Sequence, residues 1–245
     1  MSKRLAGKTA LVTGGGTGIG LGVALALARE GCRVAIAGRR REPLEAACKL
    51  FDGTPPMSCH PVDVGELVSV GALFHWSMAT VGPLDILVNS AGVNVRKRTT
   101  AELSPEDWDK MMRINASGAF YCMRAVLPEM RAQRNGLIVN ISSIAGIRSS
   151  LLGGVGYTAS KFAMTGLGTT VGREEATHNI RVTNVYPGEV ETPILDNRPV
   201  PVSAEHRARI LQPEDVADAV LMVACLPARA HITDLVIKPT SQDFA

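Results

Sequence analysis

The chain has 245 residues and carries 26 Lys and Arg against 23 Asp and Glu, a formal net charge of +3. Hydrophobic residues make up 46% of it, enough to bury the core of about one large domain, which excludes a disordered chain. The scattered charges and the 4% of aromatic residues give no support to a nucleic-acid partner, and no apolar run reaches the roughly 18 residues of a membrane-spanning helix. The five cysteines (Cys32, Cys48, Cys59, Cys122, Cys225) have no metal-ligand or redox spacing. Their odd count predicts buried thiols in a reducing compartment and no metal site. The N-terminus Met1-Ser-Lys-Arg is followed only by the short apolar run Thr9–Val12, too little for a signal peptide, so a cytoplasmic protein is expected.

In chain order, Thr9–Val12 reads as a buried strand and Gly18–Glu30 as a helix closed by Gly31. Arg33–Ala37 reads as the second strand and Ser58–Val62 as a weaker third. Leu67, Val70, Phe74, Met78 and Val81 then lie on one face of a helix, ahead of a strand at Asp85–Val88. Ser104-Pro105-Glu106-Asp107 has the composition of a helix start. Ala116–Arg134 and Tyr157–Thr177 are the longest predicted helices, with a strand at Leu137–Ile141 between them. Ile180–Val185, a helix at Pro213–Leu226 and Leu235–Ile237 complete the pattern, and the proline-rich stretch Thr192–Leu211 reads as a loop suited to a lid. Such alternation predicts an α/β fold, a doubly wound parallel sheet of about seven strands with helices on both faces. Ligands of such sheets bind beyond the carboxyl ends of the strands.

Four features fall there. The first strand runs into Thr13-Gly14-Gly15-Gly16-Thr17-Gly18-Ile19-Gly20, where glycines would let a phosphate approach a helix N-terminus; the spacing also suits a plain strand–helix turn. Tyr157 and Lys161 sit at i and i+4 of a predicted helix, so an ammonium can stand beside a phenol, although such pairs also occur on helix surfaces. A phenol with pKa ≈ 10 needs a nearby cation to act as an acid–base group at neutral pH. Ser142-Ser143 closes a strand and Asn115 precedes a long helix, positions that a turn or an N-cap would equally explain.

Together these residues resemble the short-chain dehydrogenase/reductase family, in its branch of about 250 residues. The resemblance rests on TGGGTGIG at 13–20, Asp63-Val64, NSAG at 89–92, Asn115, Ser143, YTASK at 157–161 and Pro187-Gly188, in that order. It implies one NAD(P)-binding Rossmann-type catalytic domain over residues 1–245. By the resemblance, Tyr157 is the general acid and base, and Lys161 lowers its pKa and holds the nicotinamide ribose. Ser143 binds the carbonyl, and Asn115 orders a water that relays protons. Gly14, Gly18 and Ile19 would meet the pyrophosphate, Asp63 and Val64 the adenine, and Asn89, Ala91 and Gly92 the adenosine ribose and cofactor bridge. Val190 and Thr192 would grip the carboxamide from the loop after Pro187-Gly188. The two longest helices lie where the family forms its subunit interface, so a homodimer or homotetramer is implied.

The end of the second strand reads Gly38-Arg39-Arg40 where an NAD-selective acid would stand. An Arg–phosphate bond contributes about 1.5–3 kcal/mol, so NADP(H) rather than NAD(H) is expected. Thr17 is a departure, because many NADP-using members place a second basic residue there. Ser90 replaces the second Asn of the usual NNAG. Glu189 follows Pro187-Gly188 and would favour polar substrates if it faced the pocket. The chain ends in Pro239-Thr-Ser-Gln242 rather than a glycine-rich tail, which weakens the 3-oxoacyl reductase reading. Arg96-Lys97-Arg98 would meet either solvent or an anionic group. The expected activity is NADP(H)-dependent interconversion of a small polar ketone or aldehyde and its alcohol. The alternatives are a 3-oxoacyl reductase, a steroid or carbonyl reductase, or a nucleotide-sensing protein without turnover.

Overall fold

The computed structural model describes residues 3–149 and 151–243; Met1, Ser2, Ser150, Phe244 and Ala245 lie outside the described residues, and with them the start of the charged N-terminus and one position of the loop 144–153. Seven parallel strands form one sheet: β1 (Thr9–Thr13), β2 (Arg33–Gly38), β3 (Ser58–Pro61), β4 (Ile86–Asn89), β5 (Gly136–Ile141), β6 (Ile180–Pro187) and β7 (Asp234–Ile237), in the spatial order 3-2-1-4-5-6-7. The central strands are mostly apolar because both faces are covered, with buried polar side chains confined to a few positions. The weak signal of β3 has a physical reason: it is an edge strand, partly exposed throughout, and ends in Pro61, whose missing N–H an edge tolerates.

One face packs against α1 (Gly18–Arg29), α2 (Arg41–Lys49) and α8 (Pro213–Ala224), through Val23, Leu27, Leu44, Ala47, Val216 and Val220. The other packs against α3 (Leu67–Val81), α5 (Gly118–Gln133) and α6 (Val155–Glu174), through Leu73, Cys122, Val126 and Met164. No helix among the described residues is long and apolar enough to cross a membrane. The sequence pattern passes over α2, whose only buried side chains are Leu44 and Ala47. The pattern also separates a helix opening at Ser104 from one over Ala116–Arg134. In the structure α4 (Pro105–Met111) runs through a π turn (Met112–Ser117) directly into α5. Asn115 is therefore not an N-cap; it is fully buried inside the π turn, a deformation often found at functional sites.

Three asparagines in register cross the sheet. Asn89 on β4 faces Asn140 on β5, which faces Asn184 on β6. Asn89 Nδ2 donates to Asn140 Oδ1 at 3.0 Å, and Asn140 Nδ2 donates to Asn184 Oδ1 at 3.1 Å. All three are buried, so each link satisfies a group that has no water to turn to. Asn140→Leu should leave a donor and an acceptor unpaired, at a cost of about 3 kcal/mol. Thermal denaturation should show Tm lowered by at least about 5 °C; an unchanged Tm would mean that the ladder is not needed for stability.

Candidate active site

The chain reverses its direction across the sheet between β1 and β4, and a cleft of about 490 Å³ opens at their carboxyl ends. Its floor is the turn after β1. Gly14 has φ +68°, and a Cβ there would lie 2.8 Å from the main chain of Ser90 and Ala91; a Cβ on Gly20 would collide with the Gly14 carbonyl. These positions therefore need glycine, and they leave bare backbone at the amino end of α1, where an anion is favoured. Gly18 and Ile19 follow on the same wall, with Thr192 packed over Gly18.

At the far end of the cleft Tyr157 and Lys161 project from α6. Lys161 is 4% exposed; its Nζ donates to Ile141 O at 2.8 Å and stands 5.6 Å from the centroid of the Tyr157 ring. Burial pulls the Lys161 ammonium down to about 8. Burial pushes the Tyr157 phenol up, while a hydrogen bond from Ser143 and the charge of Arg98 act against that rise. Ser143 caps the short turn Ile144–Gly146, its Oγ accepting from Ala145 N at 3.1 Å, so one hydroxyl serves both the turn and the phenol. Asn115 is turned inward: its Oδ1 accepts from Val93 N at 2.8 Å and its Nδ2 donates to Val93 O and to Ser160 Oγ, each at 2.9 Å. A Cβ on Gly92 would sit 3.6 Å from both Asn115 Oδ1 and Lys161 Nζ, so the turn after β4 lies against the two.

At the opposite end Arg39 and Arg40 are exposed and form no ion pair among the described residues; both line the cleft and an adjoining recess of about 210 Å³ with Thr17, Asp63 and Val64. Gly38 has room, because a Cβ there would meet only Leu44, at 3.6 Å. The missing acid is thus not imposed by packing. Thr17 stands exposed at the N-cap of α1, with no capping bond from its side chain. Asp63 accepts from Gly65 N at 2.9 Å and lies 3.6 Å from Arg113. Ala91, Gly92, Pro187, Gly188 and Val190 also line the cleft. Asn89 does not: its side chain belongs to the asparagine ladder.

Sequence reasoning passed over three contributors. Gln242 Oε1 accepts from Glu189 N at 2.9 Å, so the unusual tail forms part of the wall. Asn94 donates to Gly153 O at 3.0 Å, and Arg198 pairs with Glu189 at 2.8 Å. Glu189 faces the cleft, yet its carboxylate is already met by Arg198 and His206. These residues lie on loops, where no periodicity marks a direction. The lid itself is a short turn (Pro193–Asn197) and one turn of helix, α7 (Ala204–Arg207).

A doubly wound sheet with a glycine-floored cleft at its switch point, and a phenol, ammonium and hydroxyl at one end, is the architecture of a nucleotide-dependent α/β oxidoreductase. The family model described as short chain dehydrogenase matches residues 8–200. The chain is 32% identical over 235 residues to an uncharacterized oxidoreductase of Staphylococcus aureus, covering 96% of this chain and 98% of that one. It is 34% identical over 227 residues to a 3-oxoacyl-[acyl-carrier-protein] reductase of Thermotoga maritima, covering 90% and 92%. The closed form of a serine dehydrogenase complexed with NADP+ superposes with a TM-score of 0.88 at 31% identity, covering 97% of each chain. The chain belongs to the short-chain dehydrogenase family and is an oxidoreductase acting on CH–OH groups.

Proposed function

We propose that the chain interconverts a ketone or aldehyde and a secondary alcohol with NADP(H), acting on a small polar hydroxy or keto compound. The observation that carries this reading is the grouping of Ser143, Tyr157 and Lys161 at one end of a cleft whose other end presents Arg39 and Arg40 without counter-charges. A bound nicotinamide would supply or accept the hydride. Ser143 holds the carbonyl oxygen, and Tyr157 Oη gives its proton to that oxygen as the alkoxide forms. The Lys161 ammonium stabilises the phenolate left behind. Asn115 is a positioning residue, fixing Val93 and α6 around Lys161 so that a water can relay the replacing proton. The glycine turn with Ile19 would hold the pyrophosphate, the recess at Asp63 and Val64 the adenine, and Val190 and Thr192 the carboxamide, all of them residues that line the cleft or its recess.

NADP(H) is favoured because Gly38 lacks the acid that would repel a 2′-phosphate while two free guanidinium groups flank the position. A 3-oxoacyl substrate is the second reading, favoured by the likeness to the Thermotoga maritima reductase. The charged side chains at the substrate end, Glu189 and Arg198, argue for a polar compound instead. A homodimer or homotetramer built on α5 and α6 is part of the proposal, supported by Phe120 and Phe162, each 44% exposed. So is a cytoplasmic location, which suits five free cysteines.

The test is steady-state oxidation of NADPH and of NADH against oxo acids, diketones, sugar-derived ketones and steroid ketones. Turnover with at least a tenfold preference for NADPH is expected. A preference for NADH would overturn the role of Arg39 and Arg40, and binding of NADPH without turnover of any ketone would favour a sensor.

A further inference from the structure

Arg98 is the only buried arginine among the described residues, 6% exposed, and it lines the substrate end of the cleft. Its Nε donates to Val95 O at 2.9 Å, one Nη to Leu152 O at 2.8 Å and the other to Asn197 O at 2.6 Å. Each acceptor is a main-chain carbonyl, and the three belong to three different loops around the pocket. A guanidinium has five N–H donors, so two remain beyond these bonds. Three other arginines around the cleft and the helix ends meet acids: Arg131 meets Glu175, Arg207 meets Glu191 and Asp196, and Arg198 meets Glu189; Arg181, away from the cleft, donates to Ala230 O. Arg98 has no carboxylate within ion-pair distance among the described residues, and Glu189, the only acid lining this cleft, is already held by Arg198 and His206.

A buried cation held only by neutral dipoles is unfavourable unless an anion completes the site. Burial and the neighbouring charge of Arg198 both pull the Arg98 guanidinium down, as expected of a cation without a counter-charge; an arginine nevertheless stays protonated. Its place is next to the chemistry. Arg98 O accepts from Val155 N at 3.3 Å, and a Cβ on Gly154 would lie 2.6 Å from Arg98, at the start of the helix that carries Tyr157. A planar fork with free N–H groups matches a carboxylate.

We propose that Arg98 anchors a carboxylate of the substrate beside the reacting carbonyl, so that the enzyme's substrates are small oxo acids and the corresponding hydroxy acids. The inference rests on the hydride-transfer reading for the reaction but not for the binding of the carboxylate, and the two can therefore fail separately.

The experiment measures binding of 3-hydroxybutanoate and of its neutral methyl ester to the full chain, with and without NADP+, by calorimetry. The acid should bind at least tenfold more tightly than the ester. R98Q should bring the two within twofold, whereas R98K, which keeps the charge, should retain at least a threefold preference. E189Q should tighten the acid at least threefold relative to the ester, a gain that misfolding cannot imitate, and the gain should be lost when R98Q is added, which separates Arg98 from the Arg198 that E189Q also frees. Equal affinity of the wild type for acid and ester overturns the proposal, as does a preference that survives in R98Q or a weaker acid in E189Q. A parallel assay follows NADPH oxidation by 3-oxobutanoate and its methyl ester. Acid binding that depends on Arg98, with no turnover of either compound or of any other ketone, overturns the hydride-transfer reading alone. Turnover of the ester in preference to the acid overturns the carboxylate anchor alone.

Discussion

Tyr157→Phe is expected to lower kcat by 10²–10⁴-fold while leaving the affinity for NADPH within about threefold. The substitution keeps the ring on α6 and removes only the hydroxyl that the proposed mechanism uses as proton donor. Burial alone would make the phenol a weaker acid, and the opposing influences are local: the hydroxyl of Ser143 and the charge of Arg98. Single-turnover oxidation of NADPH with an active ketone separates the chemical step from binding, and fluorescence titration reports the cofactor affinity. Near-full activity in the variant would remove Tyr157 from the mechanism.

Lys161→Met should divide activity from stability. The buried ammonium is depressed from its ordinary 10.5 to about 8. Between those values the unfolded chain holds a proton that the folded chain has released, so stability rises with pH across this window. Below about pH 8 burying the charge opposes folding in full, at about 3 kcal/mol. Methionine removes that cost and also the bond to Ile141 O, which a charged donor makes worth about 2 kcal/mol. The variant without cofactor should therefore be more stable than the wild type at pH 7 by about 1 kcal/mol, with Tm raised by roughly 2–4 °C. The gain should fade as the pH rises from 8 to 10.5, while kcat falls at least 100-fold at every pH. Thermal melts at pH 7 and pH 10 check it; a variant less stable at pH 7 would show that the ammonium is well compensated in the fold.

Much of this molecule was legible before any coordinates. Central strands such as Arg33–Gly38 and Gly136–Ile141 are predominantly apolar because two helix layers cover them, and that burial is visible as composition. The glycine turn and the Tyr157–Lys161 spacing are equally local, and the structure brings both to one cleft. What escaped was non-local. Asn115 reads as a cap from its neighbours, and only contact with Val93, 22 residues away, shows that it is a strut inside a π turn. Asn89 belongs to a run of motif residues, yet its side chain points along the sheet to Asn140, 51 residues on. Arg98 reads as one of three charges that meet either solvent or an anionic group; its three acceptors lie 3, 54 and 99 residues away.

The lid has one more property. Val190 and Leu211 form an isolated parallel bridge, with Glu191 N donating to Leu211 O at 2.8 Å and Leu211 N donating to Glu189 O at 3.1 Å. The segment between them thus leaves and rejoins the body of the enzyme at a single stitched seam. Loop closure varies only with the logarithm of length, about 0.6 kcal/mol for each doubling. The segment's length can therefore vary at little entropic cost, but Asn197 O, which accepts from Arg98, and Thr192, packed over Gly18, fix where its first half must lie. Change in the second half of this loop can then reshape the rim of the cleft, while Tyr157 and Lys161 on α6 stay where they are.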